Sequence, residues 1–379
     1  MEKREIRIGL LGFGAMGRTH AFAVANLPFY FNDLPFHAAI HGVSTRSLEK
    51  SQAIASDFGF AIATDNEDDL INRPDIDVID ICTPNFLHFQ TVKKALACGK
   101  HIYCEKPLSS DLATAEEMAG LAAKSGLICS VVFNNRHLSA VQRAKQLIED
   151  GALGQILSFD FHYLHNSCTD PQKKAGWKQT ADICGLGGVL LDLGSHIIDL
   201  AVFLCGRFRA VTGKSQIAFP TRVGIDGETW KTDAPEAFYM LAETESGARG
   251  TLTASKLATG TNDDLGFAIY GTKGSLRFSL MQPNYLEFYD NTVTHEPYGG
   301  LGGFTKIECG GRYPAPAGAF PSPKASQGWL RGHVMGMYSF LQAVYSGKQT
   351  APTFADGAYV QRVMDAALAS DASGYERLV

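Results

Sequence analysis

The sequence predicts an α/β protein in two parts: a doubly wound parallel sheet first, then an α+β domain with an open, mainly antiparallel sheet. Three observations predict it. Through residue 133, short apolar runs alternate with helical patterns, the arrangement of right-handed βαβ units. From residue 134 the apolar runs turn short and alternating and are separated by glycine, as in a sheet with one wet face. The length of 379 residues, at about 100–200 per domain, makes two domains. The boundary is set at 1–133 and 134–379, with the closing helices turned back toward the first domain.

Each element follows from local pattern. Ile6-Arg7-Ile8-Gly9-Leu10-Leu11 is a buried strand, and residues 20–27 form a helix. Residues 26–36 hold two prolines and four aromatics and read as an irregular loop. A strand over 36–43 and a helix over 48–58 come next. Residues 77–82 are a strand, 85–98 a helix and 101–104 a short strand. An alanine-rich helix over 111–124 has Asp111 as its cap, and 127–133 is a strand. In the second part, the helix over 141–150 stops at Gly151 and 155–165 is a half-buried strand. A glycine-rich loop leads to an apolar helix over 189–204. Strands lie at 237–243, 248–255, 267–270 and 275–278. Residues 299–323 form a long surface loop, and helices over 335–345 and 357–369 close the chain.

Composition narrows the function. Lys plus Arg is 34 against 39 Asp plus Glu, a formal net charge of −5, so no basic face for nucleic acid is expected. At 45% hydrophobic and 19% charged residues the balance is globular. No stretch reaches the roughly 18 apolar residues of a membrane helix, and residues 6–11 are too short for a signal segment. The eight cysteines form no C-x-x-C pair. The expectation is a reduced, cytoplasmic protein without membrane contact.

Three motifs carry chemistry. Gly12-Phe13-Gly14-Ala15-Met16-Gly17 fits G-x-G-x-x-G between a strand and a helix. Gly12 serves the tight turn, Gly14 the close approach of a pyrophosphate, and Gly17 the packing of helix on strand. The helix start adds free N–H groups for the anion. In this context it reads as a Rossmann dinucleotide turn, with a purely structural glycine turn as the alternative. The next strand ends Val43-Ser44-Thr45-Arg46 without the carboxylate that would bind a ribose 2′-hydroxyl. Hydroxyls and a guanidinium suit a 2′-phosphate, so NADP is favoured over NAD, unless Arg46 only covers the adenine or points to solvent.

The second motif, Glu105-Lys106-Pro107, closes a strand where ligands bind. Lys106 there can stabilise negative charge on a substrate oxygen, or it can form an ordinary ion pair with its neighbour. The third is Asp192, His196 and Asp199, at i, i+4 and i+7 on what reads as one face of a buried α-helix. His196 is a candidate general base, with Asp192 orienting it or the substrate. The alternatives are a structural histidine bonded to Asp, or a metal site. No third ligand stands nearby, so no metal is expected.

Together these residues resemble the Gfo/Idh/MocA family of sugar and polyol oxidoreductases. The resemblance runs from Gly12–Gly17 through Cys82-Thr83-Pro84-Asn85 with His88, Glu105-Lys106-Pro107, residues 144–148 with Gly151 and Gly154, Asp192-x-x-x-His196, and Asp356-Gly357. It implies that Lys106, Asp192 and His196 are catalytic. Lys106 would touch nicotinamide ribose and substrate, Asp192 would position the substrate, and His196 would exchange the proton. It also implies a cofactor lined by Gly12, Phe13, Gly14, Ala15, Met16, Ser44, Thr45, Arg46, Thr83, Pro84, Asn85, His88, Glu105 and Trp177. Two positions depart from the pattern. Trp177-Lys178 stands where many members have Trp-Arg, and Thr45 where NAD-using members often have Asp. The implied activity is hydride transfer between NADP or NAD and a secondary alcohol or ketone of a sugar or polyol, by a homodimer or homotetramer. Glycoside hydrolysis with tightly held NAD is an alternative, and a non-catalytic nucleotide sensor is a further one. Residues 134–137, 162–179 and 328–333 are expected to shape the substrate pocket.

Overall fold

The computed structural model describes residues 3–174, 187–224, 226–294 and 296–379. They form two compact units. The first is Met1–His137 with Tyr313–Pro323 and Leu330–Gln361; the second is Leu138–Arg312 with Lys324–Trp329 and Arg362–Val379. Residues 313–323 and 330–361 thus group with the first unit, although they follow residue 134 in the chain.

In the first unit six strands, β1 Arg4–Leu11, β2 Phe36–Ser44, β3 Ile62–Thr64, β4 Val78–Ile81, β5 His101–Cys104 and β6 Cys129–Val131, make a parallel sheet ordered β3-β2-β1-β4-β5-β6. Because both faces of such a sheet are covered, its strands are apolar throughout. Ile6, Ile8, Leu10 and Leu11 on β1 are buried accordingly. Helices α1 Ala15–Tyr30, α2 Leu48–Phe58, α3 Asp68–Ile71, α4 His88–Ala97 and α5 Leu112–Ser125 connect the strands. Local chemistry sets their ends. The Ser47 side chain accepts from the Lys50 amide, and Asp111 accepts from the Thr114 amide at 2.9 Å. Gly59 ends α2 with φ +72°, where a side chain would be strained. Strand order reverses between β1 and β4, so a crevice opens at their carboxyl ends.

One expectation fails here. Residues 26–30 are not a loop: α1 runs through Pro28 to Tyr30. Pro28 falls in the last turn, so its missing N–H costs one hydrogen bond close to the helix end. In return Leu27 and Phe31 enter the core, where the Phe31 ring stacks on Tyr338 at 3.8 Å.

In the second unit the helices are α6 Ser139–Glu149 and α7 Ser195–Cys205, and a π-helical turn, Leu190–Gly194, leads into α7. The strands are β7 Ile156–Leu164, β8 Phe208–Gln216, β9 Thr221–Val223, β10 Thr229–Lys231, β11 Ala237–Thr244, β12 Arg249–Ser255, β13 Asp264–Gly271, β14 Gly274–Ser279, β15 Tyr285–Asp290, β16 Thr305–Glu308 and β17 Arg377–Leu378. Nine of them form one sheet ordered β16-β15-β14-β13-β7-β12-β11-β8-β17, while β9 and β10 pair separately. The large sheet is antiparallel except where β7 runs parallel to β12. Its buried face carries a cross-strand ladder: Phe161 lies opposite Phe267, and Phe267 opposite Phe278, with both ring pairs 5.4 Å apart. Helices α8 Trp329–Ser346 and α9 Phe354–Ser373 complete the chain. No helix among the described residues is long and apolar enough to cross a membrane.

Candidate active site

The glycine turn is built from missing side chains. Gly12 has φ +88°, and a Cβ on it would lie 2.8 Å from the Cys82 carbonyl oxygen. Its amide donates to the Ser44 carbonyl at 2.8 Å, locking β1 to the end of β2. A Cβ on Gly17 would come within 2.2 Å of the Gly12 carbonyl oxygen. Gly14 differs, because none of the described residues lies within 4 Å of where its Cβ would be. The packing of the described residues therefore does not require glycine there. Helix α1 begins at Ala15 with no side-chain cap and no acid in its first turn. Its first N–H groups and positive dipole end are left to an anion. Phe13 is buried, its ring edge-on to Phe58 at 5.1 Å, while Ala15 is exposed and Met16 half-buried.

At the end of β2, Ser44 is buried and Arg46 exposed. The Thr45 hydroxyl reaches the Ser47 carbonyl at 3.0 Å and the Ser51 hydroxyl at 2.9 Å. At the end of β4 the Thr83 Oγ1 is buried with no hydrogen-bond partner among the described residues. A buried hydroxyl without a partner is costly unless a ligand supplies one. Pro84 and Asn85 open the turn into α4. His88 is fully buried, with Nε2 2.9 Å from the Thr83 carbonyl and Nδ1 3.2 Å from the Leu108 carbonyl. It braces the backbone that carries Thr83. Burial lowers its pKa despite those carbonyls. The open Gly14, the uncapped α1 and the Thr83 hydroxyl together fit a dinucleotide.

Glu105 and Lys106 follow β5. Glu105 is buried; one of its oxygens lies 3.1 Å from His20 Nε2, and the other accepts from the Lys106 amide at 3.1 Å. Burial alone would raise the Glu105 pKa, but the bond and charge from His20 outweigh it and pull the value down to about 2. Burial also opposes charge on His20, yet Asp80 and Cys82 outweigh it and hold its pKa well above the ordinary value. Motif spacing did not mark His20 or Asp80. The available signal was a histidine on the apolar face of α1, three residues past Gly17.

In the second unit, Asp192 lies within the π-helical turn, and α7 starts only at Ser195. The α-helical spacing expected from Asp192 to His196 is therefore corrected, since a π turn closes i to i+5 hydrogen bonds and changes which residues share a face. Such turns recur at functional sites. His196 and Asp199 are buried and Asp192 is half-buried. Asp192 Oδ2 pairs with Lys256 Nζ at 2.8 Å. The Tyr163 ring meets His196 edge-on at 5.7 Å, and its hydroxyl donates to Asp263 at 2.7 Å. Asp263 also bonds His165 Nε2 at 2.8 Å, and this hydrogen bond foremost holds its pKa below the carboxylate range. Lys256 escaped the motif reading. The sequence signal was a lysine directly after the alternating run of β12.

Of the loops expected around the substrate, 134–137 is a buried 3₁₀ turn. Arg136 there reaches Asp356 at 3.2 Å. Residues 168–173 are pinned by the buried Arg222, which donates to the carbonyls of Cys168 and Asp170 and pairs with Glu236 at 2.8 Å. Trp177 and Lys178 lie outside the described residues. His333, on α8, is buried, and burial with the nearby His20 lowers its pKa to about 3.

Family models match both parts of the chain. Residues 6–133 match an oxidoreductase family with an NAD-binding Rossmann fold, and residues 141–277 match a Gfo/Idh/MocA C-terminal domain. Levoglucosan dehydrogenase of Pseudarthrobacter phenanthrenivorans is 31% identical, with 97% of each chain aligned. Glucose-6-phosphate 3-dehydrogenase of Bacillus subtilis is 25% identical, over 95% of this chain and 94% of its own. A solved structure of levoglucosan dehydrogenase with NADH and levoglucosan aligns at TM-score 0.94, covering 99% of this chain and 100% of the other.

Proposed function

The chain belongs to the Gfo/Idh/MocA family of NAD(P)-dependent oxidoreductases acting on CH–OH groups, and from that premise we propose that it oxidises a secondary hydroxyl of a sugar or anhydrosugar ring. One observation carries the substrate class: relatives aligned along nearly the whole chain are named for levoglucosan and for glucose 6-phosphate.

The chemistry follows from the side chains. A secondary alcohol gives up hydride only as its hydroxyl proton leaves. Neutral His196 takes that proton, and the Lys106 ammonium stabilises the oxygen as charge develops on it. Asp192, beside Lys256 at 2.8 Å, presents its carboxyl group as an acceptor for a neighbouring ring hydroxyl. A dinucleotide held at the Gly12–Gly17 turn would supply the hydride acceptor. A panel of sugars, inositols and anhydrosugars, assayed separately with NAD and NADP by nicotinamide absorbance, tests the reading. Turnover of a ring sugar supports it, and activity on none of them sinks it.

At the adenosine end the residues favour NADP. No carboxylate ends β2, and Arg46 is exposed beside Thr45. The relative solved with NADH supports NAD use on the same fold. The expectation is therefore a kcat/KM with NADP at least equal to that with NAD. Arg46→Ala should raise KM for NADP about tenfold and leave KM for NAD within about twofold, since only the former loses a guanidinium–phosphate contact. Equal effects on both cofactors would remove the 2′-phosphate assignment.

A further inference from the structure

Three elements of the first unit converge on one imidazole. His20 lies on the inner side of α1, with Nδ1 2.8 Å from Asp80 Oδ1 on β4 and Nε2 3.1 Å from Glu105 Oε1 after β5. All three are at least 95% buried, being 1%, 0% and 5% exposed. Two carboxylates cannot stay ionised in a dry interior unless a cation lies between them. A ring whose two nitrogens each face a carboxylate oxygen is that cation once both nitrogens carry protons. Also beside the ring are Cys82 Sγ, 3.1 Å from Nδ1, and the rings of Tyr103 at 5.3 Å and His333 at 6.1 Å.

The clamp has a direction. One Glu105 oxygen is held by His20, so the other is fixed where it receives the Lys106 amide at 3.1 Å. The backbone that carries the Lys106 ammonium is thereby tied to α1, the helix that begins in the glycine turn. None of these atoms is needed to close a secondary-structure ladder, and the Asp80–His20–Glu105 row spans 85 residues of sequence.

We propose that His20 is a positioning residue for hydride transfer: by gripping Glu105 it sets where Lys106 presents its ammonium to the reacting oxygen. The proposal rests on the reading of Lys106 given above. A purely structural histidine would lower the amount of folded enzyme and nothing else. A positioning residue lowers turnover in the molecules that do fold.

The test compares wild type, His20→Gln and Lys106→Ala as full-length proteins, on a sugar the wild type oxidises. Rates are normalised to the dinucleotide-binding sites counted by fluorescence titration. His20→Gln should lower kcat about 10- to 100-fold, with KM for nucleotide and for sugar within about threefold. A kcat within about twofold of wild type overturns the proposal. If Lys106→Ala is impaired while His20→Gln is not, only the His20 proposal falls. If Lys106→Ala also keeps the wild-type rate, the reading of Lys106 falls with it. Should His20→Gln fail to fold, nitrogen NMR of ring-labelled wild type decides. One imidazolium with both nitrogens protonated at about pH 8, well above the ordinary histidine pKa, and lost in Glu105→Gln, supports the clamp. A neutral ring facing Glu105 at that pH overturns it.

Discussion

The turn at residues 12–17 and the helix start at residues 190–196 solve opposite problems. The turn leaves side chains out. Two of its glycines are forced by close backbone contacts, and Gly14 by nothing among the described residues. The helix start brings ionisable groups in. Asp192, His196 and Asp199 follow a run of leucines, and ionisable groups in such surroundings need partners from elsewhere in the chain. A site made from backbone is specified by local spacing. A site made from buried side chains is specified by whatever tertiary packing carries to it, as Lys256 is carried to Asp192 from 64 positions away.

The sharpest way to break this comparison is at His196. If side chains do the chemistry in the second unit, His196→Ala removes the proton acceptor and lowers kcat by about 10² to 10⁴. Dinucleotide affinity, which the first unit supplies, should stay within about threefold in a fluorescence titration. A variant that turns over at the wild-type rate would end the assignment. One that lost dinucleotide binding instead would erase the division of labour between the two units.

Lys256 comes next in size. Lys256→Met keeps the stem but leaves Asp192 without its 2.8 Å partner. Asp192 retains some exposure, with a side chain 23% accessible, so solvent offsets part of the loss and the fold should survive. The expected result is a kcat/KM for the sugar about tenfold lower, or about 1.4 kcal/mol of lost transition-state stabilisation, with nucleotide KM unchanged. An unaltered kcat/KM would make the pair a packing feature only.

The same contrast explains what could be read from the chain. The helix over 48–58 and the strand over 101–104 agree in both bounds with the structure, because a Ser cap, a left-handed glycine and a buried apolar run are local signals. Strands β3, β8, β9 and β15 were not read, and β16 replaces part of the loop expected over 299–323. The three residues of β3 or β9 show no period, and their pairing is decided by neighbours. Helix α1 was cut short because Pro28 counts as a breaker locally, whereas the burial of Leu27 and Phe31 decides the outcome. In the candidate site, Gly12, Gly14 and Gly17 announce themselves by spacing. The π turn under Asp192 does not, since the sequence carries no mark of one extra residue in a turn. The partners of His20 and Asp192 were hidden for the same reason, as each is brought in by sheet register rather than by neighbours in sequence.

The smallest effect is the most discriminating for the turn itself. Gly14 has φ −80° and ψ −155°, which an alanine can adopt, and its Cβ would meet no atom of the described residues within 4 Å. Gly14→Ala should therefore leave stability within about 0.5 kcal/mol of wild type, as for a surface change away from any packed feature. The added methyl instead occupies the space where the glycine lets a pyrophosphate come close to the backbone. Dinucleotide Kd should rise about tenfold while the melting temperature holds. Gly17→Ala is the internal contrast, since its Cβ would sit 2.2 Å from the Gly12 carbonyl oxygen and must distort the turn. If Gly14→Ala lost stability but kept its Kd, Gly14 would be serving the fold, and the distinction between a turn that packs and a turn that binds would fail at the residue that defines it.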